Sequence, residues 1–88
     1  MSQRLITLPR MGRLALEFES GEEELIGQAI TACFGGGALV AGWALADVIE
    51  IGGARLIFYR EWDPCLIATD EAGDAVLRRL AEAMGLPA

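Results

Sequence analysis

Hydrophobic and polar positions alternate strictly near the start of this chain, recur at helical spacing next, and lose their charged partners through the middle. They return to helical spacing at the end. In the opening segment "RLITL" reads as a short apolar strand, "PRMG" has the proline and glycine of a reversal, and "RLALEFE" sets Leu14, Leu16 and Phe18 against Arg13, Ala15, Glu17 and Glu19. That is a β-hairpin with one face buried and one wet.

The segment "SGEEELIGQAITACF" predicts a helix. Ser20 and Glu23 have the S-x-x-E spacing of a capping box, and Glu22, Glu23 and Glu24 lie where the helix dipole favours negative charge. Leu25, Ile26, Ala29, Ile30, Cys33 and Phe34 form one apolar face, and the glycines at 35–37 end it. Beyond them "ALVAGWALADVIEI", then Gly52-Gly53, then "ARLIFYR" predict two long strands joined by a tight turn; a helix over 38–51 is the competitor, weakened by Gly42. "EWDPC" carries turn residues, and "CLIAT" supplies a last strand. The closing helix has Thr69 or Asp70 as its cap, an apolar face of Ala72, Val76, Leu77, Leu80 and Met84, and "GLP" as its stop.

The expected order is β-β-α-β-β-β-α: a single α+β domain over residues 1–88, with an antiparallel sheet of about five strands and two helices in a two-layer sandwich. No repeat or linker divides it. Residues 25–46 contain no charged side chain, and this apolar length needs a destination. A membrane span is disfavoured, because the run starts inside a capped amphipathic helix, is interrupted by three glycines and has no flanking cationic anchor. Both faces of the two middle strands read as apolar, so either one helix covers each face of the sheet or another molecule covers the second. The expectation is a homodimer, or a subunit of a larger complex, joined through the face or edge bearing Trp43 and Tyr59.

Charge and composition narrow the chemistry. The 88 residues carry seven cationic side chains, all arginine, against 13 acids, for a net charge of −6. Nucleic-acid binding, which needs a positive stripe, is not expected. Arg4, Arg10 and Arg13 all precede the first acid, so residues 1–16 carry +3 and the rest −9; this is a basic edge for an acidic partner or, more simply, three solvated arginines. The chain has no histidine and no lysine. That removes the Ser-His-Asp and Cys-His arrangements, the commonest metal ligand, Schiff-base chemistry and the P-loop, and catalysis is not expected. Cys33 and Cys65 are too few for zinc and too far apart for a CxxC pair, and each sits in an apolar run as a reduced thiol. No cofactor is implied. The start of the chain lacks a secretory pattern, and a cytoplasmic location is the expectation.

One local cluster remains, "YREWDPC" at 59–65. Tyr59, Arg60, Glu61, Trp62 and Asp63 have the composition of a recognition loop, with Trp62 as its anchor, because Tyr, Trp and Arg dominate binding hot spots. The structural alternative is that Trp62 lids the core while Arg60 pairs with Glu61 or Asp63. A different class of function, a pocket for a small ligand or cation with Cys65 as a reactive thiol, is the second reading.

Overall fold

The computed structural model describes residues 3–61 and 63–86. The first hairpin forms where the alternation places it, β1 (Arg4–Thr7) against β2 (Leu14–Glu17), with Leu8 N–H donating to Arg13 O at 2.8 Å across the reversal. Helix α1 (Glu23–Phe34) follows and stops at Gly35, whose φ of +78° is the left-handed exit that glycine makes without strain. Its start is not the expected Ser20–Glu23 box. The Glu22 carboxylate instead accepts from the Glu19 N–H at 2.7 Å, while Glu23 accepts from Gly21 N–H at 2.9 Å. The reciprocal acid of a capping box is present one residue earlier, with Glu19 rather than a serine three residues before it.

The middle of the chain differs from expectation in one respect. Residues 38–51 are extended, but as two strands, β3 (Gly37–Gly42) and β4 (Ala46–Ile51), so the sheet has six strands rather than about five. The reversal is closed by Trp43 N–H donating to Ala46 O at 2.7 Å. Its central residues, Ala44 and Leu45, carry none of the usual turn chemistry, and the reason the chain turns there lies elsewhere. Arg60 reaches back from the end of β5 (Ala54–Tyr59), donating to Trp43 O at 2.8 Å and to Ala44 O at 3.3 Å and pairing with Asp47. Gly52 and Gly53, with φ of +59° and +82°, make the β4–β5 turn, since a type I′ turn demands left-handed φ at both positions.

β6 (Cys65–Ala68) leads into α2 (Glu71–Ala83), capped by Asp70, which accepts from Gly73 N–H at 2.8 Å. Its end is a Schellman closure: Gly85 has φ of +74°, and Leu86 N–H donates to Ala81 O at 2.8 Å. Ala72, expected on the apolar face of this helix, is exposed; Gly73 and Ala81 are buried with Val76, Leu77 and Leu80.

All strand pairs are antiparallel, in the order β1-β2-β6-β5-β4-β3. Both helices pack against each other and on the same face, where Leu16, Ile51, Leu56 and Leu66 meet Ile26, Val76, Leu77 and Leu80 in the core. Neither helix covers the opposite face. A partly buried ion pair ties the helical layer to the first hairpin: Asp74 of α2 accepts from Arg13 at 2.8 Å and from Leu14 N–H at 2.9 Å. Among the described residues, no helix is long and apolar enough to cross a membrane.

One helix position is underused. Gly27 stands mid-helix in α1, and a Cβ added there meets nothing within 4 Å. Because glycine in a helix interior loses about 0.5–1 kcal/mol relative to alanine, Gly27→Ala is expected to stabilise the fold by about that amount. Thermal unfolding at fixed protein concentration checks it, with a rise in Tm of roughly 2–8 °C.

Candidate functional site: the uncharged sheet edge

β3 occupies one edge of the sheet, and all six of its residues, "GALVAG", are exposed. An edge strand presents a row of backbone N–H and C=O groups on its outer side, and proteins ordinarily guard it with charges, proline or a covering loop. The other edge follows that rule, since β1 begins at Arg4, which pairs with Glu17. β3 has neither a charge nor a proline, and its one irregularity is a bulge between Leu39 and Ala41.

The same hairpin concentrates the apolar surface. Of the six exposed large hydrophobic side chains among the described residues, Leu39, Val40, Trp43 and Leu45 belong to it, Leu39 being 68% and Trp43 62% exposed. The strand order explains this exposure. β3 was expected in the middle of the sheet, where both faces would be covered; at the edge, its helix-facing Leu39 lies beyond the reach of α1. Leu39, Val40 and Leu45 were therefore missed as surface residues, although the charge-free run at 25–46 was their signal.

Trp43 and Tyr59 come to the same end of the sheet. Trp43 N–H bonds to Ala46 O, and Ala46 is the register partner of Tyr59. Trp43 projects from the hairpin tip, whereas Tyr59 lies on the open face beside Cys65. The Tyr59 hydroxyl donates to the Glu61 carboxylate, and that bond, with burial and the nearby charge, pushes the hydroxyl above its ordinary pKa.

The cluster at 59–65 divides in two. Arg60 is committed to the hairpin tip and to Asp47, with its guanidinium over the Phe58 ring at 5.7 Å, so its partner is neither Glu61 nor Asp63. It is a clasp on the edge hairpin. Glu61 and Asp63 are exposed, Pro64 is buried, and Trp62 lies outside the described residues.

The features a small-ligand site would need are modest. A cleft of about 120 Å³ opens between α1 and the sheet, lined by Phe18, Ile26, Ile30, Ile49 and Phe58 with Glu23 as its charged residue. That cleft has room for a side chain rather than a metabolite, given that small-molecule sites run about 300–1,000 Å³; larger hollows of about 550 Å³ over Glu24, Gln28 and Thr31 and about 370 Å³ among Gln3, Leu25 and Met84 lie along the outer side of α1, lined mostly by exposed residues. The Cys65 thiol is raised above its ordinary pKa, first by burial and then by the Glu17 carboxylate opposite it, which disfavours the reactive thiolate. Among the described residues, no group of three or more Cys, Asp or Glu is placed to hold a metal ion. Comparison with models of protein families, with curated proteins and with solved structures finds no match.

Proposed function

We propose that this domain is a non-catalytic protein-interaction module of the cytoplasm that works by self-association, β3 of one copy pairing with β3 of a second to continue the sheet. The carrying observation is an exposed, uncharged edge strand joined to a tip bearing Trp43 and Leu45. A copy of the same chain suits it, because every charge that would repel a −6 partner is off this strand. Six residues at about 3.4 Å each give roughly 20 Å of strand to pair, and the apolar side chains on both sides of it would be covered in the same step. Two unpaired thiols fit a reducing compartment. Accessory or regulatory roles, with Tyr59, Glu61 and Asp63 as contacts for a further protein, extend the same reading.

Leu39→Lys tests it. The side chain is already exposed, so the fold should tolerate the change, and the net charge moves from −6 toward zero, which weakens general repulsion between copies. Any loss of association is then local to the strand. Light scattering from low to high micromolar is expected to show a self-associated parent and a variant at least about tenfold weaker, since like charges apposed at an interface cost several kcal/mol. A monomeric parent, or a variant that associates like it, would refute the proposal.

A further inference from the structure

Charge on this domain is divided by layer. Glu22, Glu23 and Glu24 stand at the start of α1, and Asp70 and Glu71 at the start of α2, all in the helical layer. Among the described residues the open face of the sheet carries Arg4, Glu17, Glu50 and Arg55, with Arg4 donating to Glu17 at 2.6 Å and Glu50 opposite Arg55 in register, and Glu61 at its rim, bonded to the Tyr59 hydroxyl.

Between these charged positions runs an apolar stripe with one residue from every strand. Ile6, Ala15, Ile67, Ile57, Val48 and Ala41 follow one another across the sheet, each the register partner of the next; Ala41 is exposed, Ile6, Ile67, Ile57 and Val48 are half-buried, and Ala15 is buried between its neighbours. With strands about 4.8 Å apart the stripe is about 24 Å long. Apolar centre and polar flanks are the ordinary anatomy of an interface.

We infer that this open face is a second interface, and that its occupant is the same face of another copy. Arg4 and Arg55 stand here against Glu17, Glu50 and Glu61, a net −1 where the whole chain is −6, so two copies meet here with little repulsion. Both flanks carry both signs, and a self-apposed pair sets arginine near glutamate without any foreign charge. The stripe is built from alanine and β-branched side chains of low relief, which suits sheet-on-sheet packing at about 10 Å. One face of a body measuring 31 × 30 × 27 Å offers roughly the 800 Å² per partner that a stable interface buries. Together with edge pairing, on which the count of copies rests, two self-complementary surfaces give a closed tetramer with three two-fold axes.

Sedimentation velocity on the parent, Leu39→Lys and Ile57→Glu separates the two surfaces. The parent is expected to reach a tetramer at high micromolar, and each variant to stop at the dimer made by its intact surface, with the altered contact at least about tenfold weaker. An Ile57→Glu protein with the parent's mass overturns the face inference. A parent that stops at a dimer while Leu39→Lys is monomeric also overturns it, and leaves edge pairing standing. A Leu39→Lys protein that keeps the tetramer overturns edge pairing instead.

The unaltered protein supplies a second measurement, independent of any effect of Ile57→Glu on folding. Cys65 sits beside the stripe between Glu17 and Tyr59, whereas Cys33 belongs to α1. Alkylation of Cys65, read by peptide mass, is expected to slow about tenfold when nine-tenths of the face is closed, in proportion to the open fraction, with Cys33 unchanged. A Cys65 rate independent of protein concentration overturns the inference.

Discussion

Asp74→Ala is expected to destabilise the domain by about 3 kcal/mol, a large share of the 5–15 kcal/mol that holds a typical domain together. Asp74 is 7% exposed, and its two oxygens are divided between Arg13 at 2.8 Å and Leu14 N–H at 2.9 Å. Alanine removes both acceptors at once. It leaves a backbone donor unsatisfied at the start of β2 and a partly buried guanidinium without its counter-charge, and hydrogen bonds to charged groups contribute about 1.5–3 kcal/mol each. Asp74→Asn keeps an oxygen for Leu14 while losing the charge, so it should cost about half as much. Urea unfolding at fixed protein concentration reads both variants as a shift in midpoint with little change in slope. A loss below about 1 kcal/mol for alanine would mean that α2 is anchored to the hairpin by its apolar face alone.

Gly52→Ala is expected to cost about as much, for a different reason. The position has φ of +59°, which an L-residue enters at a cost of roughly 1–2 kcal/mol. A Cβ there would also stand 2.6 Å from Cδ1 of the Phe34 ring, far inside contact distance, so the ring, or the end of α1 that carries it, must move away from the β4–β5 turn. Overpacking of this kind adds about 1–3 kcal/mol. The neighbouring glycine is the control. Gly53 has φ of +82° but open space around its Cβ, so Gly53→Ala should show the backbone cost without the clash. Equal losses at 52 and 53 would mean that Phe34 swings aside freely.

These two sites also mark what could be read before the structure was known. Gly52-Gly53 was legible because the turn type is written in the residues that form it, as were the Asp70 cap and the glycine stops of both helices. Asp74 drew no reading from the sequence, because its tie to Leu14, 60 residues away in sequence, has no local signature. The Trp43–Ala46 reversal was missed on the same ground: its turn is held by Arg60, 16 and 17 residues further on, rather than by its own side chains. Strand order was the larger gap. Apolar character on both faces of β3 and β4 was visible, but alternation cannot say which strand lies at the edge, so the exposed Leu39 and Val40 and the six-strand stripe required the register. The shifted capping at Glu19–Glu22 was a smaller miss, since one glutamate among three consecutive ones makes the bond.

The pairing of β2 with β6 bears on how the chain is made. β3, β4, β5 and β6 pair with near neighbours, but β2 must wait for β6, as Leu16 finds its partner only at Leu66. At a synthesis rate of about 5–20 residues per second, the first hairpin stands without its sheet for roughly 3–10 s. During that interval the Leu5–Leu16 face is bare beside other nascent chains, and a factor that shields short apolar hairpins on the ribosome would act on this protein early, before any of its finished surfaces exist.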